Sequence, residues 1–192
     1  MKLYGSLTSP YVRRLRAFAL EEDINFEFIN LNIFADKDRE TLVKLNPTRK
    51  IPMLVDSEQV VFDSNVIYRY LTEKRNLKPL SWSEENTLTL INSANDSLVE
   101  VLLCQRSGFD TQEDKLFFNL QRERVEGVLK ELNQSVKNGQ FTQYNYLAVS
   151  LYCLLDWIVF RNLADLSPFS ALLEFHSQHT ARQSNQLTSP QE

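Results

Sequence analysis

Two short segments of this chain combine residues that could bind a small peptide. Ile51-Pro52 opens a β-rich run, and Asp63-Ser64 precedes a helix that is apolar on one face. Proline lacks the N–H of a central strand and is nearly the only residue that permits a cis bond, so we predict a cis Ile51-Pro52 bond. The neighbouring backbone N–H and C=O could then pair with an extended ligand. A helix start offers further N–H groups to a carboxylate, which predicts a site for a peptide that ends in an acid.

Residue periodicity predicts the elements that must position these two segments. Ser9-Pro10 has the pattern of a helix N-cap followed by proline in the first turn. Alternating and helical apolar spacing gives the order βαβαββα. The predicted strands are 2–5, 25–31, 53–55 and 60–62, and the predicted second helix is 38–45.

The chain resembles the glutathione transferase superfamily, in particular a bacterial glutathione transferase-like protein with an N-terminal serine, with strong motifs in roughly the first 75 residues and a second half that is similar in its helical layout. The matching motifs are Lys2-Leu3-Tyr4-Gly5, Ser9 four residues before Arg13-Arg14, Asn46-Pro47 followed by Ile51-Pro52, and Asp63-Ser64. The resemblance implies the class α/β plus all-α, with a thioredoxin-like N-terminal domain and an α-helical C-terminal domain. It also implies glutathione as co-substrate, a small electrophile as second substrate, and a homodimer.

The resemblance assigns a role to each candidate site residue. Ser9 would be catalytic, because a hydroxyl at a helix N-terminus stabilises the glutathione thiolate. The glutathione-binding set would be Lys50 for the glycyl carboxylate, Ile51 and Pro52 for the cysteinyl backbone, Asp63 for the γ-glutamyl ammonium and Ser64 for the γ-glutamyl carboxylate. The family spacing is what favours these roles.

Simpler interpretations exist for the same residues. Ser9, Asp63 and Ser64 could be ordinary helix caps. Thr8 and Tyr11 are competing hydroxyls for the thiolate. We expect a third hydroxyl, that of Tyr4, to belong to the core. Arg13 could bind the glycyl carboxylate or lie on the exposed face of its helix.

Composition limits the classes of partner. The chain has 192 residues and a formal charge of −4, which argues against nucleic-acid binding. The apolar run 146–160 is too short to span a bilayer, and the N-terminus lacks a secretory pattern, so we expect a buried helix and no membrane contact. Cys104 and Cys153, without a C-x-x-C pattern, suit a reducing cytoplasm. We expect His176 and His179 to be surface residues and predict no metal site.

The second half of the chain has helical signals only. A break at 75–82 sets predicted domain limits of 1–76 for the glutathione-binding domain and 83–192 for the helical domain. The apolar stripe formed by Leu88, Ile91, Leu98 and Leu102 could be intradomain core or a dimer face. The polar stretch from Arg182 to Glu192 is expected to fray.

Two departures from the family pattern bear on function. Arg49 stands where the family usually has glycine, and the central C-terminal helix lacks the family's capping box at 146–149, so we expect Asn145 to cap it. The sequence favours a glutathione transferase. The alternative, mildly favoured by these departures, is a non-catalytic protein on the same scaffold, similar to stringent starvation protein A. A thiol–disulfide oxidoreductase is disfavoured because no cysteine stands near Ser9.

Overall fold

The computed structural model describes residues 1–190 and divides the chain into two units. The first unit contains Met1–Pro79 together with the segment that begins at Ala181, and the second contains Leu80–Thr180. The predicted limits of 1–76 and 83–192 placed the segment that begins at Ala181 in the helical domain, whereas it belongs to the first unit.

The first unit is built around a four-stranded mixed sheet. Its strands are β1 (Lys2–Gly5), β2 (Glu27–Asn30), β3 (Met53–Asp56) and β4 (Gln59–Phe62). Their order in the sheet is β2-β1-β3-β4, with β1 parallel to β2 and antiparallel to β3, which forms a hairpin with β4. This is the predicted thioredoxin-like arrangement, and it confirms the βαβαββα order.

Eight helices occur within residues 1–190. The helices of the first unit are α1 (Pro10–Glu21), α2 (Asp36–Leu45), α3 (Ser64–Lys74) and the short α8 (Gln183–Leu187). The helices of the second unit are α4 (Trp82–Arg106), α5 (Leu116–Lys137), α6 (Tyr146–Arg161) and α7 (Ser170–Thr180). The all-helical character predicted for the second half is therefore confirmed.

Close packing of α1 on β1 holds the start of the first unit together. The backbone of Gly5 lies so near Val12 that a Cβ built on this glycine would come within 2.3 Å of a Val12 methyl carbon. On the same helix, Phe18 makes an edge-to-face contact with Tyr68 of α3, with ring centroids 5.2 Å apart. The absence of a side chain at Gly5 thus sets how closely α1 approaches the sheet.

Helix α6 forms the centre of the second unit. Every residue from Tyr146 to Leu155 is buried, as predicted for this apolar run. Asn145 caps the helix, since its Oδ1 accepts bonds from the N–H groups of Leu147 (3.0 Å) and Ala148 (3.3 Å). The expected substitute for the missing capping box is therefore confirmed.

The apolar stripe on α4 is core of the second unit rather than a dimer face. Leu88, Ile91 and Leu98 are 1%, 0% and 4% exposed in the single chain, and Leu102 is half-buried. Asn95, within the same stripe, is fully buried, and its amide has no hydrogen-bond partner in residues 1–190. The core alternative stated for this stripe is the one observed.

The prediction that both histidines are surface residues is wrong. His176 Nε2 lies 2.7 Å from Asp156 Oδ1, and its ring stacks on that of Tyr152 at 5.1 Å. His179 is half-buried, with its ring 4.5 Å from that of Phe175. The partners of His176 come from α6, so the sequence around the histidines does not reveal them.

Candidate functional site

The register of the sheet brings three separate segments to one end. Tyr4 of β1 pairs with Met53 of β3, and Met53 also pairs with Phe62 of β4. Gly5 follows Tyr4, Pro52 precedes Met53, and Asp63 follows Phe62. The loop to Ser9, the Ile51-Pro52 bond and the start of α3 therefore all lie at the same end of the sheet. This convergence defines the candidate site.

Ser9 caps α1 at this end. Its Oγ accepts a bond from the Val12 N–H at 3.4 Å, and its own N–H donates to the Ser6 carbonyl at 3.2 Å. Pro10 follows as the first helical residue, as predicted. The cap uses the oxygen as an acceptor, so the hydroxyl hydrogen can still be donated to a ligand atom. Capping and thiolate stabilisation are therefore compatible functions of one side chain.

The competing hydroxyls occupy different environments. The Thr8 hydroxyl lies 3.2 Å from that of Ser6 within the same loop. Tyr4 packs against the buried cluster of Leu31, Leu42 and Met53, in agreement with its expected place in the core. The Tyr11 ring faces the Arg14 guanidinium at 4.8 Å. Ser9 is the hydroxyl that combines the helix N-terminus with the sheet end.

Asn46 organises the loop that delivers Ile51-Pro52. Its Nδ2 donates to the Lys50 carbonyl at 2.8 Å, and its Oδ1 accepts from both the N–H and the hydroxyl of Thr48 at 2.9 Å. Asn46 is 1% exposed. The sequence motif included this asparagine, but its function as the centre of the loop was missed, although an asparagine side chain in a turn commonly bonds the backbone two residues further on.

Of the two special backbone positions of this loop, the cis bond was predicted and the conformation of Arg49 was not. The Ile51-Pro52 peptide bond is cis, as predicted. Arg49 has φ of 58°, which lies in the left-handed region that favours glycine. Arg49 therefore adopts a backbone conformation that glycine occupies at lower cost.

Asp63 and Ser64 form the start of α3 in an unusual backbone conformation. Asp63 has φ of 74° and ψ of 134°, and its Oδ1 accepts from the N–H groups of Asn65 (2.8 Å) and Val66 (3.3 Å). Such a conformation costs free energy and is frequent at ligand sites. Asp63 is exposed, whereas Ser64 is 2% exposed. The cap interpretation of Asp63 is observed, and its exposed carboxylate can also face a cation.

The two cationic candidates differ in position. Lys50 is exposed and precedes Ile51 directly. Arg13 is 3% exposed, and its Nη2 donates to the Asn185 carbonyl at 3.1 Å, so the alternative that it lies on the exposed face of its helix is wrong. Arg13 is buried because α8 packs on α1.

A titrating cluster lies at the opposite end of β3 from this site. The Lys74 ammonium and the Tyr70 hydroxyl both donate to Asp56, and these bonds hold the pKa of the Asp56 carboxyl below its ordinary value. The same carboxylate raises the pKa of Tyr70 and of Lys74. This cluster joins the end of β3 to α3 and is structural.

Residues 1–190 contain no group of three or more histidine, cysteine or acidic side chains placed to hold a metal ion. No helix in the described chain is both long and apolar enough to cross a membrane.

Comparison with known proteins identifies the family. The model of the glutathione S-transferase N-terminal domain matches residues 1–73. The uncharacterised GST-like protein YibF of Escherichia coli K12 is 32% identical over 177 residues, which cover 85% of each chain. The chain belongs to the glutathione S-transferase superfamily. A homologue of stringent starvation protein A from Coxiella burnetii is 34% identical over 80 residues, or 42% of this chain and 37% of that protein.

Solved glutathione S-transferases share the whole fold. A glutathione S-transferase from Methylobacillus flagellatus KT, crystallised with GSH bound, superposes with a TM-score of 0.86 and covers 99% of both chains at 21% identity. The α/β plus all-α glutathione S-transferase fold expected from the sequence is therefore confirmed.

Proposed function

We propose that this protein is a glutathione transferase that conjugates the glutathione thiolate to small electrophiles. The observation that carries the proposal is the convergence of the Ser9 loop, Ile51-Pro52 and Asp63-Ser64 at one end of the sheet. One end of this site offers a hydroxyl, and the other offers a helix start beside a carboxylate. A γ-glutamyl peptide with a thiol in its middle has the complementary groups.

The proposed binding roles follow the chemistry of the peptide. The backbone of Ile51, beside Pro52, pairs with the cysteinyl residue of glutathione. Ser64 at the start of α3 holds the γ-glutamyl carboxylate, because helix N-termini favour anions, and the exposed Asp63 carboxylate faces the ammonium. Lys50 pairs with the glycyl carboxylate.

Ser9 then acts on the sulfur. Its hydroxyl donates a hydrogen bond that favours the charged form, so the glutathione thiol loses its proton to solvent near neutral pH. The thiolate sulfur attacks the electrophilic carbon and forms a C–S bond, and the leaving group departs with the electron pair of the bond that breaks. The site contributes by holding the sulfur ionised and in place.

Replacement of Ser9 tests the catalytic role. We expect Ser9→Ala to leave the affinity for glutathione nearly unchanged, because the two ends of the peptide are bound elsewhere. It should raise the apparent pKa of the bound thiol and slow conjugation of a generic aryl halide. One hydrogen bond to a charged sulfur corresponds to a slowing of roughly ten- to a hundredfold. Steady-state kinetics and a pH titration of the bound thiolate absorbance measure both quantities.

Ser64→Ala is the matched control for this experiment. It removes a hydroxyl from the same site but should weaken glutathione binding more than it changes the thiol pKa. A Ser9→Ala protein that conjugates at the wild-type rate would reduce Ser9 to a helix cap. Thr8 or Tyr11 would then have to stabilise the thiolate, or the protein would not be a transferase.

A second candidate is a non-catalytic protein that acts by binding another protein, similar to stringent starvation protein A. The similarity to the Coxiella burnetii homologue of that protein favours it, together with Arg49 at the family's glycine position. Retention of this protein on immobilised glutathione, followed by elution with free glutathione, supports the transferase. Absence of retention favours the binding protein.

We also propose a homodimer that works in the reducing cytoplasm. Cys104 and Cys153 are both thiols, which suits that compartment. Because Leu88, Ile91 and Leu98 are internal, the dimer interface would use other apolar side chains that the single chain exposes, such as Val66 of α3 and Leu103 of α4.

A further inference from the structure

The C-terminal segment packs against the sheet-containing unit with polar side chains inside. We call residues 181–190 the tail. Within the tail, Ser184, Asn185 and Thr188 are 4%, 1% and 1% exposed. The Thr188 hydroxyl donates to the Ser184 carbonyl at 2.7 Å. The prediction that the stretch from Arg182 onward frays is wrong for residues 182–190, because polar groups buried to this extent require partners from the surface beneath them, and residues 191 and 192 lie outside the described part of the chain.

An acidic residue at the end of α1 supplies the first set of partners. Glu21 accepts bonds from Arg182 Nε at 3.2 Å and Arg182 Nη2 at 2.6 Å, and it also accepts the Ser184 hydroxyl. A two-point bond between guanidinium and carboxylate fixes orientation as well as distance. The start of α8 is thereby attached to the last turn of α1.

Two arginines of α1 supply the second set. A helix of five residues such as α8 leaves most of its carbonyls without intrahelical partners. Arg13 Nη2 donates to the Asn185 carbonyl at 3.1 Å, and Arg16 Nη2 donates to the Leu187 carbonyl at 3.5 Å. The contacts of the tail therefore cover α1 from Glu21, at its end, to Arg13, one turn from its start.

The contact at Arg13 lies next to the proposed catalytic residue. The Arg13 N–H donates to the Ser9 carbonyl at 3.0 Å, so the two residues belong to the same helical turn. We propose that the tail is a positioning element that fixes α1 and thereby sets where the Ser9 hydroxyl meets the glutathione sulfur. This inference rests on the proposed function. A hydrogen bond weakens steeply with distance and angle, so a small shift of α1 would weaken the bond from the Ser9 hydroxyl to the sulfur.

Variants at the Arg182–Glu21 pair test the proposal in the full chain. We expect Arg182→Gln and Glu21→Gln to raise the apparent pKa of bound glutathione and to lower kcat about tenfold, while KM for glutathione changes far less. Arg182→Lys keeps the charge but not the two-point bond, and it should give an intermediate thiol pKa. Arg39→Gln, which removes an exposed arginine of α2, is the matched control and should behave as wild type.

The possible outcomes separate this inference from the proposed function. Folded Arg182→Gln and Glu21→Gln proteins with the wild-type thiol pKa and kcat would overturn the positioning function and leave the transferase intact. If these two variants do not fold, the Arg182→Lys protein decides: a wild-type pKa of its bound glutathione thiol would overturn the positioning function. A wild-type protein that does not lower the thiol pKa of glutathione contradicts the proposed function, and the inference fails with it.

Discussion

At the scale of single residues, Asp56 links the end of β3 to α3 through two donors. The Tyr70 hydroxyl donates to its Oδ2 at 2.6 Å, and Lys74 pairs with the same oxygen. The Asp56 pKa is lowered from its ordinary value of 3.8, chiefly by Lys74 and then by Tyr70. A lowered folded-state pKa contributes stability that is present above the unfolded-state pKa and is lost as pH falls through the folded-state value.

Asp56→Asn should therefore reduce the free energy of unfolding at pH 7, by about 1.5 kcal/mol for the bond from Tyr70 to a charged oxygen. The difference from wild type should stay constant down to about pH 5 and shrink below about pH 4, where the carboxyl of the unfolded chain takes up its proton. Urea denaturation of both proteins between pH 2 and pH 7 measures this difference in the free energy of unfolding. Glu58→Gln, at the exposed turn of the same hairpin, is the control. An Asp56→Asn deficit that persists undiminished at pH 2 would contradict the assignment.

The backbone of Arg49 gives a second prediction at this scale. Its φ of 58° costs free energy for a residue with a side chain and little for glycine. Arg49→Gly should thus raise the free energy of unfolding by up to about 1 kcal/mol. Lys50→Gly is the matched control. Lys50 is not among the residues with positive φ, so glycine there should destabilise by a similar amount. Equal or lower stability of Arg49→Gly in thermal and urea denaturation would refute the prediction.

At the scale of elements, the approach of α1 to β1 depends on Gly5. A Cβ at this position would meet the two Val12 methyl carbons at 2.3 Å and 2.9 Å, closer than van der Waals contact allows. Gly5→Ala should lower the free energy of unfolding by about 1–3 kcal/mol through overpacking. Since the loop to Ser9 follows Gly5 directly, conjugation should slow as well.

Two further variants control the Gly5 experiment. Gly127 lies within α5, and a Cβ added there would meet no neighbouring atom of residues 1–190 within 4 Å, so Gly127→Ala should stabilise by about 0.5–1 kcal/mol. Val12→Ala removes both methyl contacts and leaves only the Val12 Cβ, at 3.2 Å, so Gly5→Ala should cost less free energy in a Val12→Ala background than in the wild type. An equal cost in the two backgrounds would show that the clash is not the cause.

At the scale of the whole molecule, the proposed homodimer has a direct test. Light scattering at micromolar concentration should give about twice the chain mass of 22.4 kDa. Val66→Asp, at a side chain that is 45% exposed on α3, should shift the population towards the monomer if this helix contributes to the interface. A monomeric mass for the wild type would contradict the dimer. Retention of conjugation in such a monomer would show that one chain contains the complete site.

The sequence by itself determined the features that local physics controls. Pro10 after Ser9 specified a capped helix start, and Asn145 replaced a missing cap, because these motifs depend on hydrogen bonds within a few residues. Pro52 permitted the cis bond that was predicted, and the periodicities of two and of three to four residues indicated the strands and helices of the first unit. The order of elements could therefore be predicted, whereas the convergence of the candidate site segments at one sheet end became visible only from the strand register.

Only the tertiary structure decided which side chains are buried by distant partners. Arg13 bonds a residue 172 positions away, and Glu21 bonds one 161 positions away, so neither the burial of Arg13 nor the docking of the tail has a local signal. The pairing of His176 with Asp156 depends likewise on how α7 packs on α6. The apolar stripe on α4 was compatible with burial in the core of its own unit or in a dimer interface. An apolar stripe indicates that a helix face is covered, but it does not identify the covering element. Packing between elements supplies that choice.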